Sequence, residues 1–163
     1  MTAFVRTTLT WVLLAVLGES VVAPAIAFGN VAPDFTVIAI VLLAMARGAR
    51  AGAIGGFSLG LIQDLAVPTM LGLHALCKVL LGYGVGWTRG RLIYGLVLVE
   101  AALLFAAGLG HDTLFLLVQS WQRNDAFLAT WFSDVLPTAL YTAVAGVPLL
   151  RLADLFGILR RED

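Results

Sequence analysis

Apolar residues in this chain neither alternate with polar ones nor keep to one helical face. They run on, at residues 9–28, 33–46, 51–67, 70–87, 92–118 and 127–150, with short polar stretches between. A helix needs on the order of 20 apolar residues to cross a hydrocarbon layer of roughly 30 Å. Inside lipid only helices and closed barrels satisfy their own backbone groups, and barrel strands would alternate in polarity. The pattern therefore predicts an all-α polytopic membrane protein of about six transmembrane helices, forming a single membrane domain over residues 1–163. Gly29-Asn30, Arg47-Gly48-Ala49-Arg50, Pro68-Thr69 and Thr88-Arg89-Gly90-Arg91 supply tight connections. His111-Asp112 interrupts the fifth run, which ends near Leu109 or continues to Val118. The most polar stretch, Ser120 to Asp125, is expected to be a loop. Pro137 and Pro148 are expected to bend the sixth span. Leu152, Leu155, Phe156 and Leu159 repeat at helical spacing in the tail, as in a helix lying along a membrane surface.

Composition removes the soluble alternatives. Of 163 residues 61% are hydrophobic and 12% charged, against roughly 45–50% and about 25% in soluble domains. The spans use nearly the whole chain, so no enzyme domain, coiled coil or nucleic-acid module fits beside them. Arg6 followed by an apolar run imitates a signal peptide, and Pro24-Ala25-Ile26-Ala27 imitates its cleavage site. The run is span-length and more spans follow it, which favours an uncleaved first span. A lone cysteine, Cys77, cannot form an intramolecular disulfide.

Net charge is zero, but the placement is uneven. If spans alternate sides, one side receives Arg6, Arg47, Arg50, Arg89, Arg91, Arg151, Arg160 and Arg161, and the other only Arg123. The positive-inside rule then makes both termini cytoplasmic. Trp11, Trp87, Trp121 and Trp131 fall near span ends, where interfacial anchors sit.

Glycines and buried charges are the candidate determinants. Gly52, Gly56 and Gly60 recur every four residues in the third span, and Gly82 and Gly86 do so in the fourth. Such rows let helix backbones approach closely in lipid. The rows lead into Asp64 on one helix and into Lys78 and His74 on the other. At 1.5 Å per residue, Asp64 lies roughly 5 Å below the outer surface and Lys78 roughly 12 Å below it. A lysine stem can reach upward, so the two are expected to pair. Glu19 lies level with Lys78, and Glu100 about eight residues inside the fifth span. Charges at such depth cost roughly 2.5–3.5 kcal/mol each and face partners or a cavity. Glu19, Asp64, His74 and Lys78 thus form either an outward-facing polar pocket or a structural charge cluster that fixes helix packing.

Signals for chemistry are absent. Two histidines and one cysteine make no metal cluster, and His111-Asp112 is expected to be an isolated interfacial cap. No nucleophile elbow and no phosphate loop is present, and no cofactor is implied.

The motif order carries a resemblance. Pro33-Asp34-Phe35 opens the second span. Gly55-Gly56-Phe57-Ser58-Leu59-Gly60-Leu61-Ile62-Gln63-Asp64-Leu65 fills the third. Leu71-Gly72-Leu73-His74-Ala75-Leu76 opens the fourth, and Leu81-Gly82-Tyr83-Gly84-Val85-Gly86 closes it. This succession, over roughly residues 30 to 90, resembles the bacterial rod shape-determining MreD family. The resemblance implies a non-catalytic membrane component of the rod elongation complex. The implied partners are an MreC-type protein, the actin-like MreB, a RodA-type glycosyltransferase and a class B penicillin-binding transpeptidase, with membrane lipid and no nucleic acid. It also implies a helix arrangement similar to the substrate-binding membrane subunits of energy-coupling-factor transporters. That likeness supplies the rival reading, a small-molecule-binding subunit or transporter. Very short outer turns and the lack of unwound midplane segments count against the rival.

Overall fold

A computed structural model describes residues 10, 12–66, 70–91, 96–123 and 127–155, the last two of the 96–123 stretch by backbone alone. Most of the described residues are helical, and the helical ones fall mainly into six helices. We label them α1 (Val12–Ala25), α2 (Phe35–Arg47), α3 (Ala49–Ala66), α4 (Leu73–Trp87), α5 (Val97–Arg123) and α6 (Phe127–Leu155). Two of them, α5 and α6, are long and apolar enough by themselves to cross a membrane.

The shortest expected span is the central column. From Thr36 to Met45 every residue of α2 is buried. Val37, Ile38, Val41, Leu42 and Met45 pack with Val85 of α4, Leu104 and Ala107 of α5, and Ala143 and Leu150 of α6. Ala39 and Ile40 pack with Ala15 of α1 and Leu59 of α3. A helix that is apolar all round must be enclosed on all sides. The outer helices instead leave large apolar side chains open, such as Leu98, Leu114, Leu117 and Trp121 on α5 and Leu140, Val144, Leu152 and Leu155 on α6. Water would not tolerate so continuous an apolar surface; lipid does.

Helices α3 and α4 run antiparallel with their glycine rows face to face. A side-chain carbon added at Gly52 would strike the Gly82 carbonyl, and one at Gly82 would strike that of Gly52. At Gly56 it would strike the Lys78 carbonyl, at Gly60 the backbone of Ala75, and at Gly86 the backbone of Ala49. Gly55, one residue off this row, faces Leu43 of α2. Glycine is therefore required by backbone contact, not by turn geometry.

Several boundaries differ from expectation. Helix α5 passes through His111-Asp112 and continues to Arg123, so Ser120 to Arg123 is helix and not loop. The polar residues there mark departure from the apolar layer, which does not oblige a helix to end. Glu100 lies in the first described turn of α5. Helix α1 ends at Ala25, and Gly29, at φ 62°, turns the chain between paired Phe28 and Val31.

Proline acts through a shared device. Helix α1 widens to a π turn at Gly18–Val22, and α6 does so at Trp131–Val135. Each widened turn ends two residues before a proline, Pro24 and Pro137. Proline has no N–H and its ring crowds the carbonyl four residues back. One extra residue in the turn relieves that crowding. Of the tail, residues 151–155 continue α6; Phe156 and Leu159 lie outside the described residues, as do Trp11 and Arg6.

Among the described residues, Arg47, Arg50, Arg89, Arg91 and Arg151 lie toward one end, and Arg123 closes the far end of α5. Arg47 and Arg50 flank the α2–α3 turn, Arg91 stacks on Trp87 at 3.9 Å, and Arg151 pairs with Glu100 at 3.2 Å. The other buried charges lie at the opposite end.

Candidate functional site: a buried polar hub

At that opposite end, the N-terminus of α2 collects polar groups from the helices around it. Asp34 is its N-cap and accepts from the Val37 N–H at 2.8 Å. Such a cap satisfies one of the four amides a helix start leaves unpaired. The same Oδ1 accepts from the Thr36 hydroxyl, and Oδ2 pairs with Lys78 Nζ of α4 at 3.3 Å. Lys78 also donates to the Thr36 hydroxyl. From α6, Thr142 Oγ1 accepts from the Asp34 N–H at 2.9 Å. From the π turn of α1, Glu19 Oε2 accepts from the Phe35 N–H at 2.9 Å. The widening at Gly18–Val22 thus places a carboxylate on the start of α2, and the Phe35 ring packs on Gly18.

Lys78 is fully buried, as is Asp64, but they are not partners. Asp64 accepts from the N–H groups of His74 at 3.1 Å and Ala75 at 3.0 Å. Gly72, the N-cap of α4 at φ 90°, has no side chain to offer. A carboxylate from the neighbouring helix caps α4 instead, in the favourable field of a helix N-terminus. The expected Asp64–Lys78 pair is corrected to Asp34–Lys78. A capped carboxylate is already satisfied, and the lysine finds the acid one helix further over.

His74 and His111 also meet here. The His74 ring stacks on Phe115 at 4.3 Å and lies 6.3 Å from the His111 ring. His111 is buried, its Nδ1 bonded to Asp112 Oδ1 at 2.8 Å. The pair is therefore not an isolated interfacial cap, since it faces the hub. One donor atom each from Asp34, His111 and Asp112 lies within 4.8 Å of the others. Of the sequence candidates, Glu19 and Lys78 join at the start of α2, whereas Asp64 and the His74 backbone form the adjacent cap. Asp34 is the centre of the hub and was visible in the sequence only as a span-opening motif. Its signal was a cap residue ahead of a wholly apolar helix. Three polar atoms at this end are buried without a hydrogen-bond partner among the described residues: Gln63 Oε1, His74 Nδ1 and His111 Nε2.

The arrangement can hold helices in register, and it shields its one lysine completely. Among the described residues no serine or cysteine side chain takes part in these bonds; Cys77 is buried on α4.

Comparison with known proteins gives one match over nearly the whole chain. The family model described as rod shape-determining protein MreD matches residues 2–156. No curated protein and no solved structure matches.

Proposed function

Because the chain belongs to the MreD family, a membrane family of rod shape determination, we propose that it is a non-catalytic scaffold of the bacterial rod elongation complex. In this reading it crosses the inner membrane six times with both termini in the cytoplasm. It holds an MreC-type protein and supports lateral peptidoglycan synthesis alongside a RodA-type glycosyltransferase, a class B penicillin-binding transpeptidase and MreB. The family match across residues 2–156 carries the proposal. The structure adds two supports. The glycine seam and the hub are bonds within the chain, suited to a rigid frame. The exposed apolar flanks of α5 and α6 suit contact with lipid and with partner helices. The arginine-rich end supports the orientation.

One observation favours a second reading, a small-molecule-binding subunit or transporter. The hub contains buried polar atoms without partners, as a ligand site does before it is filled. The two readings separate on co-purification of a tagged copy from its native host membrane in mild detergent. The scaffold reading predicts that an MreC-type protein travels with it. An ATPase module in its place would overturn that reading and make the hub a substrate site.

A further inference from the structure

The turn that closes α4 and the turn between α2 and α3 meet at one corner. Ala49, which opens α3, lies backbone to backbone against Gly86. The Arg89 side chain lies over Gly48, its Nη1 3.5 Å from where a side-chain carbon there would stand. Arg47 and Arg50 flank one turn and Arg89 and Arg91 belong to the other, so four arginines share the corner. The chain after α4 is fixed there by its own bonds. The Thr88 hydroxyl donates to the Val85 carbonyl at 2.7 Å, the Arg91 N–H donates to the Thr88 carbonyl at 2.9 Å, and Gly90 takes φ 85°. Arg91 is exposed and stacks on the exposed Trp87 ring at 3.9 Å, which holds the guanidinium by its face and leaves its N–H edge for an acceptor. Carboxylates of the same helices do not balance this charge, since Asp34 and Asp64 both belong to the hub end. At the arginine end, Glu100 is held by Arg151, and Asp154 stands on α6.

Beside that corner one face of α4 stands open. Leu76, Leu80, Tyr83 and Trp87 are each more than half exposed and follow one another at helical spacing. Gly84 lies among them, and a side-chain carbon there would meet nothing within 4 Å. The face is therefore a shallow furrow, apolar along its length, floored at Gly84 and headed by Arg91 on Trp87. Charge at one end and an apolar track leading away from it match a molecule with an anionic head and a hydrocarbon tail. We propose that this corner binds an anionic phospholipid, its phosphate held by Arg50, Arg89 and Arg91 and one acyl chain laid along the α4 furrow over Gly84. Guanidinium forks suit phosphate oxygens, and basic clusters beside span ends attract anionic headgroups. An acidic peptide would satisfy the arginines but would leave the furrow uncovered. The proposal rests on the reading of the chain as a membrane protein, and adds to it one lipid at a fixed place.

The test uses the full-length protein, extracted from membranes in mild detergent and stripped of lipid. It is offered equal amounts of phosphatidylglycerol and phosphatidylcholine with the same acyl chains, and bound lipid is counted by native mass spectrometry. Recovery from the membrane fraction checks the membrane reading separately, before any lipid is added. We expect phosphatidylglycerol to be retained about fivefold over phosphatidylcholine, and Arg50→Gln and Arg91→Gln each to lower its retention about fivefold, as the pull of one arginine on an anionic headgroup predicts. Gly84→Leu enters open space, so it keeps the fold and every arginine, and it should lower retention by blocking the acyl chain. Protein that comes from the membrane fraction yet retains the two lipids equally would overturn the site and leave the membrane reading standing. Phosphatidylglycerol retention unchanged by Arg91→Gln would overturn it as well. So would displacement of the lipid by inorganic phosphate alone or by poly-glutamate with Gly84→Leu without effect, since the corner would then take a bare anion or an acidic protein segment.

Discussion

The α3–α4 pair and the α5–α6 pair are both antiparallel, yet they are joined by different physics. Between α3 and α4 the contact is backbone on backbone, with Gly52 against Gly82 and Gly56 against the Lys78 carbonyl. Dispersion and close approach join these helices, and almost no side chain intervenes. Between α5 and α6 side chains do the joining. Arg151 pairs with Glu100 near one end, the Trp131 indole donates to Thr113 at 2.9 Å near the other, and Leu104 fills the space over Gly146. Even the glycines differ, because a carbon added at Gly108 would meet Ala139 only at 3.4 Å, ordinary contact. A seam of backbone contacts has no slack, whereas a side-chain joint can adjust. The first pair thus forms the fixed frame and the second the adaptable flank.

The comparison breaks most visibly at the frame. Gly56→Leu forces a branched side chain into the α4 backbone. It should cost more than about 3 kcal/mol and abolish monodisperse protein in detergent. Next comes Lys78→Leu, which leaves Asp34 without its partner in a buried setting, at about 3–5 kcal/mol. Adding Asp34→Asn to it should recover most of that loss in a thermal-unfolding double-mutant cycle, because the amide still caps α2. Additive losses would mean that Asp34 and Lys78 are not coupled. Asp64→Ala, which uncaps α4, should lower stability by about 1–2 kcal/mol and speed amide exchange at His74 and Ala75. At the flank, Gly108→Ala should stay within about 0.5 kcal/mol of wild type by the same unfolding assay. A large loss there would erase the contrast between the pairs.

The two pairs were also unequally legible. The α3–α4 seam could be read directly, because spacing of four on both helices is a local pattern with one physical meaning. The number of helices followed from uninterrupted apolar runs. The hub could not be read so well, since its bonds join residues far apart. Asp34 and Lys78 are 44 positions apart, and Asp34 and Thr142 are 108 apart. Depth along a helix placed Asp64 and Lys78 within reach of each other, but depth says nothing of which face a side chain leaves by. Nor did it show that Asp64 is consumed by the amides of α4. His111-Asp112 looked like a break because it is polar within an apolar run. Burial against α4 makes it part of the interior, and the helix continues past it. The π turns before Pro24 and Pro137 left no mark beyond the prolines themselves.

The central claim is that the hub joins helices in a scaffold and does no chemistry. It is tested most directly by exchanging the native gene of a rod-shaped host for one carrying Asp34→Asn with Lys78→Met. This removes both charges and keeps the cap and the side-chain length. The account predicts rod-shaped cells, with the variant in the membrane at wild-type level. Round cells with the variant present at that level and monodisperse in detergent would contradict it, and would make the charges themselves the functional groups.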